Sequence, residues 1–562
     1  MKRAVVCFFL SALFFCSHSV LFCSHSFGQT GEQGSSSSIQ QDFQKIGELW
    51  QQKKIGEAVA ILEKLHNTPG MRDVKDAWIG ILYNLACGYS LLGEKDKALV
   101  YLTEAVDSGF SDPDQILHDT DLATVRGDAR FAPIMAKLLT KRMIWESPAF
   151  VTPYREALNE DEKLTGLSRV WAEVKYGFVY FDHVPMLDCD SLYVAFVPKV
   201  KEAKSTLEYY RVLQNMCSQL RDSHTGINVP GMLFAEMYSR PPIDTRYVEG
   251  RILITEVLDP SLEKQGIHRG LEIVGIEGVP VQQYAEERVA PYHSWSTPQG
   301  YLAGTYEFYL LCGSARTPVE IEFRDEQGRP FKRVVERSYH AIQSFSKSLE
   351  FKMLKDNIAY VALNTFGDRS VPAAFDSLMP VIAKSNGLIL DLRRNTGGNS
   401  DVGYDVLGYL TEKPFYTLAG KVREYSAFYR AKGGGEKWTE IPPTEWPAKG
   451  DKRYLKSVAV LVGPQTGSAA EDFCVTFSVL GRGKMIGSPT AGATGQPLFY
   501  SLPGGGTGFV CTTRASYPDG REFVGVGIEP DVIVTPTAKD IRAGRDVELE
   551  SAIAILKKEP AR

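Results

Sequence analysis

Three short apolar runs in the second half of the chain most constrain its fold. Residues 358–363, 387–391 and 458–462 are continuously apolar rather than alternating, as strands buried on both faces of a sheet require. Helical patterns separate these runs, and strands that alternate with helices are typical of a layered α/β fold. We therefore expect residues 341–540 to form an α/β domain with these runs as its buried strands.

Two of these runs lead into segments whose residue types suit catalysis. Residues 391–398 (Asp-Leu-Arg-Arg-Asn-Thr-Gly-Gly) follow one strand, and paired glycines there let backbone N–H groups turn toward a bound group. Residues 463–471 (Gly-Pro-Gln-Thr-Gly-Ser-Ala-Ala-Glu) follow the next strand and open a helix. Ser468 at such a turn is exposed, and the helix dipole favours negative charge beside it.

A third polar cluster, Asp222-Ser223-His224, closes a helical segment earlier in the chain. Each of the three segments also has an ordinary structural interpretation. Glycine pairs commonly make turns, a serine before a helix commonly caps it, and a single histidine is commonly structural. Only their combination and their order along the chain favour catalysis.

Length and charge limit the class of protein without naming it. The chain has 562 residues with a formal net charge of −5, and that length predicts about three or four domains. The 44% hydrophobic and 23% charged fractions are those of globular proteins. A slightly acidic balance lacks the basic face that nucleic-acid binding requires.

The N-terminus has the pattern of a secretory signal peptide over residues 1–28. Lys2 and Arg3 precede an apolar run of 12 residues, 4–15, too short for the roughly 20 residues that span a bilayer. Lipid attachment at Cys16 or Cys23 is disfavoured because each follows Phe rather than a small residue. We expect export to the periplasm or the extracellular space, a linker at 29–39, and no transmembrane helix after signal cleavage.

Residues 40–142 have a helical pattern that matches tetratricopeptide-like repeats. The spacing between Ala58 and Ala98 exceeds the usual period of about 34 residues, so an insertion near 67–75 is expected to loop out. A plain helical bundle is the alternative, and either arrangement favours docking of a protein partner over catalysis. The pattern of one copy rests on Leu82, Leu85, Ala86, Tyr89, Gly93, Ala98, Leu102 and Ala105.

The middle of the chain changes character twice. Residues 143–228 read as mostly helical, whereas 229–340 contain short β-rich runs separated by Gly, Pro and Asp turns. Residues 251–257 form one such strand, and 266–281 follow with glycine turns and a second strand. This order resembles a PDZ domain, which would bind an extended peptide as an added strand. Residues 541–562 are expected to form one charged surface helix.

Together these segments resemble peptidase family S41, the tail-specific or C-terminal processing proteases, including the tricorn-like branch. The resemblance covers roughly residues 150–535 and implies an α/β layered catalytic domain of the ClpP/crotonase-like kind. It rests on 387–398, on Gly-Ser-Ala-Ala-Glu at 467–471 and on Gly-Val-Gly-Ile-Glu-Pro-Asp at 525–531. The resemblance implies that Ser468 is the nucleophile. One branch of the family uses a lysine base about 25 residues later, where this chain has Ala493.

The tricorn-like branch takes its base from a Ser-His pair that matches Ser223 and His224, and histidine suits this role because its pKa lies near working pH. The implied reaction is acyl transfer, in which His224 removes the Ser468 proton. N–H groups of Gly398 or Gly397, and of Ala469, hold the oxyanion.

The sequence does not assign the acid that orients the histidine. Glu522 shares a strand face with the position expected from the family, but a carboxylate exposed in a hairpin is the alternative interpretation. Glu471 is interpreted as structural, and the Gly-rich run 504–508 as a hairpin turn. No metal and no cofactor are expected, since neither paired Cys/His spacing nor an HExxH motif occurs.

The sequence thus predicts an exported serine endopeptidase that acts on polypeptides and engages them through its PDZ-like domain. A catalytically inactive scaffold of the same fold is the first alternative, because the lysine is missing and the acid is unassigned. A crotonase-like acyl enzyme is the second, although it would not explain the Ser-His spacing or the PDZ-like insert.

Overall fold

The computed structural model of this chain describes residues 36–339 and 347–558. The chain divides into two compact units, Met1–Pro148 and Ala149–Arg562. The proposed signal segment at 1–28 lies outside the described residues. None of the helices within 36–339 and 347–558 is long and apolar enough to cross a membrane.

The first unit is built from helices. They are α1 (Ser36–Gln51), α2 (Ile55–His66), α3 (Lys75–Leu91), α4 (Lys95–Ser108), α5 (Pro113–His118) and α6 (Phe131–Trp145). Helices α3 and α4 form a hairpin that turns at Gly93, whose φ is +80°. The apolar residues that predicted this hairpin all lie in the core. The expected insertion lies between α2 and α3, and the tetratricopeptide assignment stays a prediction.

Two boundaries in this unit differ from the predicted ones. Helix α1 begins at Ser36, inside the linker predicted at 29–39, and α6 continues to Trp145 beyond the boundary at 142. The serine run suggested a linker because serine is a weak helix former. The helix it joins buries Phe43, Ile46 and Leu49, and helices gain most of their stability from such packing.

The second unit opens with helices and continues into an antiparallel sheet. The first elements are α7 (Glu160–Gly177), α8 (Cys189–Glu202), α9 (Thr206–Ser218), β1 (Gly226–Asn228) and α10 (Phe234–Met237). The β-rich part contains β2 (Ile243–Val248), β3 (Arg251–Val257), α11 (Pro260–Glu263), β4 (Glu272–Ile276), β5 (Val279–Pro280), α12 (Val281–Arg288), α13 (Pro298–Leu302), a π-helical turn (Ala303–Tyr309), β6 (Val319–Arg324) and β7 (Pro330–Val335). Its strand order is β2-β3-β4-β6-β7, with β5 paired to β4. The change from helix to strand predicted near 229 is therefore present.

The remaining elements form the α/β layer and its attachments. They are β8 (Leu349–Leu354), β9 (Ile358–Leu363), α14 (Val371–Ile382), β10 (Gly387–Asp391), α15 (Ser400–Leu407), β11 (Phe415–Tyr416), β12 (Ala419–Glu424), α16 (Ala427–Ala431), β13 (Lys437–Ile441), β14 (Glu445–Trp446), β15 (Val458–Val462), α17 (Ala469–Leu480), β16 (Lys484–Gly487), β17 (Pro497–Leu502), β18 (Gly506–Cys511), β19 (Thr513–Ser516), β20 (Val532–Ile533), α18 (Ala538–Arg542) and α19 (Val547–Lys558).

The central sheet of this layer has the strand order β20-β16-β15-β10-β9-β8. Strands β9, β10, β15, β16 and β20 are parallel, and only β8 is antiparallel. The three runs predicted as buried strands are β9, β10 and β15, with the predicted bounds, and β10 and β15 are buried at every position. Continuous apolar composition predicted them because both faces of a parallel sheet are covered.

The C-terminal segment differs from the predicted surface helix in one respect. Helix α19 is charged but has an inner face, since Ala552 is fully buried and Leu556 is 5% exposed. A Cβ added at Gly387 in β10 would lie 3.1 Å from Leu556. The helix therefore covers one face of the central sheet, which the charge pattern alone did not reveal.

A buried ion network joins this helix to the loop after β10. Arg393 donates to Asp391 at 2.6 Å, to Asp546 at 2.8 Å and to Glu548 at 2.6 Å. Glu548 is 1% exposed and also accepts from Arg246 in β2 at 2.8 Å. The guanidinium of Arg393 thus ties the loop 392–399 to α19. Through Glu548 and Arg246 it also links the loop to the β-rich sheet.

Replacing Arg393 tests this network. Arg393→Leu leaves buried carboxylates with fewer cations, and removing one partner of a buried ion pair costs about 3–5 kcal/mol. The neighbouring Arg394→Leu is the matched control, because Arg394 is 50% exposed and its partner Asp244 keeps a second cation in Arg240. Pairs with an exposed partner contribute about 0–1 kcal/mol. Urea unfolding of both variants measures the difference. Equal losses would contradict the proposed role of the network.

Candidate active site

The two loops singled out in the sequence meet at one edge of the central sheet. Strand β10 pairs in parallel with β15, so that Asp391 stands opposite Leu461. Both strands therefore end at the same level, and the carboxyl ends of parallel strands are where α/β sheets form their sites. The loops 392–399 and 463–468 leave this edge side by side.

A buried asparagine fixes the two loops to each other. The side chain of Asn395, which is fully buried, donates to the Leu363 carbonyl at the end of β9 at 2.9 Å and accepts from the Gly397 N–H at 2.9 Å. Its main-chain carbonyl accepts from the N–H of Gly467 at 3.1 Å. Asn395 had no predicted role beyond its place in the motif 391–398, although a polar residue between a buried strand and a glycine pair was the available signal.

Ser468 has a strained backbone directly before α17. Its φ is +54° and its ψ is −130°, a conformation that non-glycine residues rarely adopt and that is concentrated at functional sites. The N–H of Ser468 donates to the carbonyl of Ala493 at 2.7 Å. Its hydroxyl makes no cap hydrogen bond to α17, so the interpretation of Ser468 as a helix cap is wrong.

The Ser468 hydroxyl instead contacts His224. Ser468 Oγ lies 3.0 Å from Nε2 of His224, within the range needed for proton transfer. Burial lowers the pKa of His224, and the charge of Asp222 acts in the opposite direction. The imidazole is therefore neutral at neutral pH and has a nitrogen available to accept the serine proton.

Strand β1 positions His224 from the other side. It begins two residues after the histidine and pairs antiparallel with β18, with Gly226 opposite Phe509. Thr225 adds two bonds, since its hydroxyl donates to Asp222 at 2.6 Å and accepts from the Cys511 N–H at 3.1 Å. The histidine and the serine are 244 positions apart in the chain but are carried on elements of one packed unit.

Two N–H groups beside Ser468 are open to a bound oxygen. Those of Gly398 and Ala469 have no hydrogen-bond acceptor within 36–339 and 347–558. The N–H of Gly397 differs, because it donates to Asn395. Of the two glycines predicted as alternatives, the structure therefore favours Gly398 as the donor and is against Gly397.

Gly397 has a steric role instead. Its φ is +103°, and a Cβ at this position would lie 2.5 Å from Cβ of Ser468 and 2.9 Å from the Ala469 nitrogen. Only glycine allows the two loops to approach this closely.

Glu522 is not placed to orient His224. Its carboxylate accepts two hydrogen bonds from Arg514, at 3.1 and 2.6 Å, and lies in a hairpin, as the alternative interpretation stated. The buried carboxylate whose charge acts on the histidine is Asp222. Nδ1 of His224 itself has no hydrogen-bond partner among the described residues. Asp222 was quoted in the sequence motif but was not predicted as the acid.

Glu471 supports the loop that holds Ser468. It is fully buried, accepts from the N–H groups of Gly492 and Ala493 at 2.7 Å each, and also bonds to the Thr490 hydroxyl. Burial raises its pKa to about 7, against these hydrogen bonds. The structural interpretation of Glu471 agrees with these contacts, because Ala493 is the residue whose carbonyl fixes the Ser468 amide.

Residues 293–309, which we name the crossing segment, are a part of the site that sequence reasoning missed. The segment lies between α12 and β6 of the β-rich part, and it contacts the histidine segment and the loop 463–468. Ser223, predicted as the partner of His224, donates its N–H to the Ser296 hydroxyl at 3.0 Å and makes no hydrogen bond to Ser468 among the described residues. Further contacts are Ser294 to the Thr225 carbonyl, Thr297 to the Ala491 carbonyl, Gln299 to the carbonyls of Thr490 and Val526, and Gln465 to Glu307.

The same segment covers the edge strand β2. Thr245 donates its hydroxyl to the Tyr306 carbonyl at 2.8 Å, and the N–H of Tyr247 donates to Glu307 at 3.3 Å. The rings of Tyr247 and Tyr306 stack 5.0 Å apart. An extended peptide cannot add to β2 at these positions while the segment is in place. The predicted strand-addition mode is therefore blocked at this edge.

Comparison with known proteins identifies the α/β layer. Residues 357–534 match peptidase family S41, and the predicted S41 domain is confirmed over these residues. Two relatives are the chloroplastic C-terminal processing peptidase of Tetradesmus obliquus, 26% identical over 183 residues, and the carboxy-terminal-processing protease of Bartonella bacilliformis, 24% identical over 275 residues. These alignments cover 32% and 44% of this chain, and they span 36% and 58% of the length of the relatives.

A solved structure with a similar fold extends beyond that domain. The crystal structure of mature CPAF superposes with a TM-score of 0.56 at 16% identity, covering 71% of this chain and 97% of that one. At this identity the similarity concerns the fold alone. The chain therefore has a mixed α/β multidomain fold, within which residues 357–534 match peptidase family S41.

The assignment of the charged partner of His224 can be tested by pH dependence. In Asp222→Asn the stabilising negative charge is lost, so the pKa of His224 falls further and the imidazolium formed during reaction is less stable. We expect the acid limb of the rate of labelling by a fluorophosphonate to move to lower pH and the plateau rate to fall about tenfold or more. Glu522→Gln is the control and should leave the acid limb in place. A shift in the control but not in Asp222→Asn would contradict the assignment.

The close approach of the two loops predicts the effect of a single methyl group. Gly397→Ala would force Ser468 and the start of α17 apart, and we expect the labelling rate to fall by about 10²-fold or more as the oxyanion donors move. Gly435→Ala is the control, since a Cβ there meets no atom within 4 Å and its φ is not positive. Labelling rates of both variants, with circular dichroism to verify folding, provide the measurement. An unimpaired Gly397→Ala would show that the approach is not required.

Proposed function

We propose that this chain is an exported serine endopeptidase of the C-terminal processing type, because residues 357–534 form a domain of peptidase family S41. The observation that carries the proposal is the 3.0 Å contact between Ser468 Oγ and His224 Nε2, beside two open N–H groups. The names of the relatives support action on the C-terminal region of polypeptides.

The proposed reaction follows from this geometry. His224 Nε2 takes the Ser468 proton as Oγ attacks a peptide carbonyl, and the N–H groups of Gly398 and Ala469 donate to the oxygen that becomes negative. The imidazolium then gives its proton to the leaving amine, the peptide C–N bond breaks, and an acyl-serine remains. Water hydrolyses the acyl-serine by the same steps in reverse order, with His224 again acting as the base.

Charge and strain both favour this sequence. The imidazolium that forms transiently is stabilised by the buried carboxylate of Asp222, and the lowered pKa keeps the resting histidine neutral, so that Nε2 can accept a proton. The positive φ of Ser468 sets the nucleophile at the sharp turn between β15 and α17, as in other strand-turn-helix nucleophiles.

The remaining parts of the proposal concern location and partners. The pattern of residues 1–28 supports export, and the helical hairpins within 40–142 supply a surface on which a protein partner would dock. The β-rich domain engages the polypeptide substrate. Because the crossing segment covers the edge of β2, this engagement uses another face of the domain.

Covalent labelling tests the proposal directly. A fluorescent fluorophosphonate should label the full chain at Ser468, with labelling abolished in Ser468→Ala and reduced by about 10³-fold or more in His224→Ala. Ser501→Ala, an exposed serine in β17, is the control and should label like the unaltered chain. Absence of labelling between pH 5 and 9 would overturn the peptidase proposal and favour an inactive scaffold of this fold.

A further inference from the structure

A cavity of about 470 Å³ lies beside the catalytic histidine segment, between helix α9 and the β-rich domain. Arg211 of α9, Tyr284 and Arg288 of α12, and Arg337 after β7 all line it. Ser223, the residue before His224, forms part of the same wall. The proposed reaction does not use this cavity.

Arg337 is a buried cation without an anion. It is 7% exposed, and its Nε and Nη1 donate to the carbonyls of Leu311 and Thr317 at 3.0 Å each. No carboxylate among the described residues forms an ion pair with it, and no described residue accepts from Nη2. A Cβ at Gly313 would lie 2.8 Å from Cζ of Arg337, so this glycine makes room for the guanidinium.

Arg211 is the second uncompensated cation of the cavity. Its Nε is buried and has no hydrogen-bond partner, and its guanidinium lies over the ring of Tyr292 at 5.1 Å. No described carboxylate pairs with it. Arg288 is different, because Glu277 neutralises it at 3.0 Å near the rim.

Tyr284 lies near the three arginines that line the cavity. Burial raises the pKa of its hydroxyl, and Glu277 adds to this, whereas Arg337, Arg288 and Arg211 each act to lower it. All three guanidinium groups therefore lie within electrostatic reach of one side chain. The hydroxyl itself has no hydrogen-bond partner among the described residues and is available as a further donor.

Such an arrangement is unfavourable unless an anion binds. A buried charge without a partner of opposite sign is unfavourable, and the planar guanidinium of an arginine matches a carboxylate with two parallel hydrogen bonds. His293 in the same wall adds no cation, because burial lowers its pKa to about 4. Among the described residues that line this cavity, Arg211, Arg337 and Tyr284 keep polar hydrogens without an acceptor.

We infer that this cavity binds a carboxylate of the polypeptide substrate, through Arg211, Arg337 and the Tyr284 hydroxyl. That the carboxylate belongs to a peptide rests on the proposed function, and it comes from either the C-terminus or an acidic side chain. The wall next to the cavity carries the catalytic segment, since Ser294 donates to the Thr225 carbonyl at 2.8 Å. An anchored peptide therefore lies beside His224 without adding to β2.

Peptide binding to the full chain carrying Ser468→Ala tests the inference without cleavage. Three fluorescein-labelled hexapeptides of one alanine-rich sequence serve as probes: one with a free C-terminus, one amidated, and one amidated with a single glutamate. We expect fluorescence anisotropy to show at least tenfold tighter binding of one or both anionic peptides than of the neutral one. The anionic peptide that binds more tightly identifies the source of the carboxylate.

Variants of the cavity complete the test. Arg211→Gln, Arg337→Gln and Tyr284→Phe should each weaken binding of the preferred anionic peptide, by about tenfold for the arginines, and leave the neutral peptide unaffected. Arg337→Lys, which keeps the charge, should recover part of the affinity. Arg251→Gln, an exposed residue of β3 outside the cavity, is the matched control and should bind like the parent chain.

Three outcomes would overturn the inference. They are equal binding of all three peptides, anionic binding that survives both Arg211→Gln and Tyr284→Phe, and anionic binding that survives Arg337→Gln. Failure of fluorophosphonate labelling with intact anionic-peptide binding would reject the proposed function alone. Normal labelling without a preference for anionic peptides would reject the cavity alone.

Discussion

The buried side chain of Asn395 is the interaction on which the candidate site depends. Through one amide and one main-chain carbonyl it joins the end of β9, the glycine pair and the loop that carries Ser468. Because Asn395 is excluded from water, losing one of these bonds would leave a buried polar group unpaired. The position of Gly398, and hence of the oxyanion donors, follows from this small network.

Burial also sets the electrostatics of the site. Burial lowers the pKa of His224 and raises the pKa of Asp222, and the charge of each group opposes the shift of the other. The histidine is therefore neutral at rest and available to accept a proton. In the loop 392–399, Arg393 donates hydrogen bonds to three carboxylates that lie between the central sheet and α19. Two groups of ionisable side chains therefore adjoin the site. One is His224 with Asp222, and the other is Arg393 with its three carboxylates, in the loop that carries Gly398.

Much of the site could be predicted because its signals are local. Strands β9, β10 and β15 follow from continuous apolar runs, and each motif is a short stretch of neighbouring residues. Ser468 was favoured as the nucleophile only by the combination and order of three such motifs. The contact of Ser468 with His224 was expected from the family resemblance, and the structure brings the two together. The prediction of Glu522 as the acid was wrong. It relied on a shared strand face, which does not reveal that the carboxylate of Glu522 accepts two hydrogen bonds from Arg514. The distinction between Gly397 and Gly398 depends on a side chain two residues away.

The sequence by itself determined the strands of the α/β layer and the helical hairpin of α3 and α4, since each depends on composition and spacing over a few neighbours. The roles of Ser468 and His224 came from the resemblance of several motifs, taken together, to peptidase family S41. Only the tertiary structure decided which carboxylate acts on His224, that the crossing segment covers β2, and that Arg211 and Arg337 face one cavity. These features join residues that lie tens to hundreds of positions apart. Hydrogen bonds and charges act over a few ångströms, so such partners are known only once the chain has brought them together.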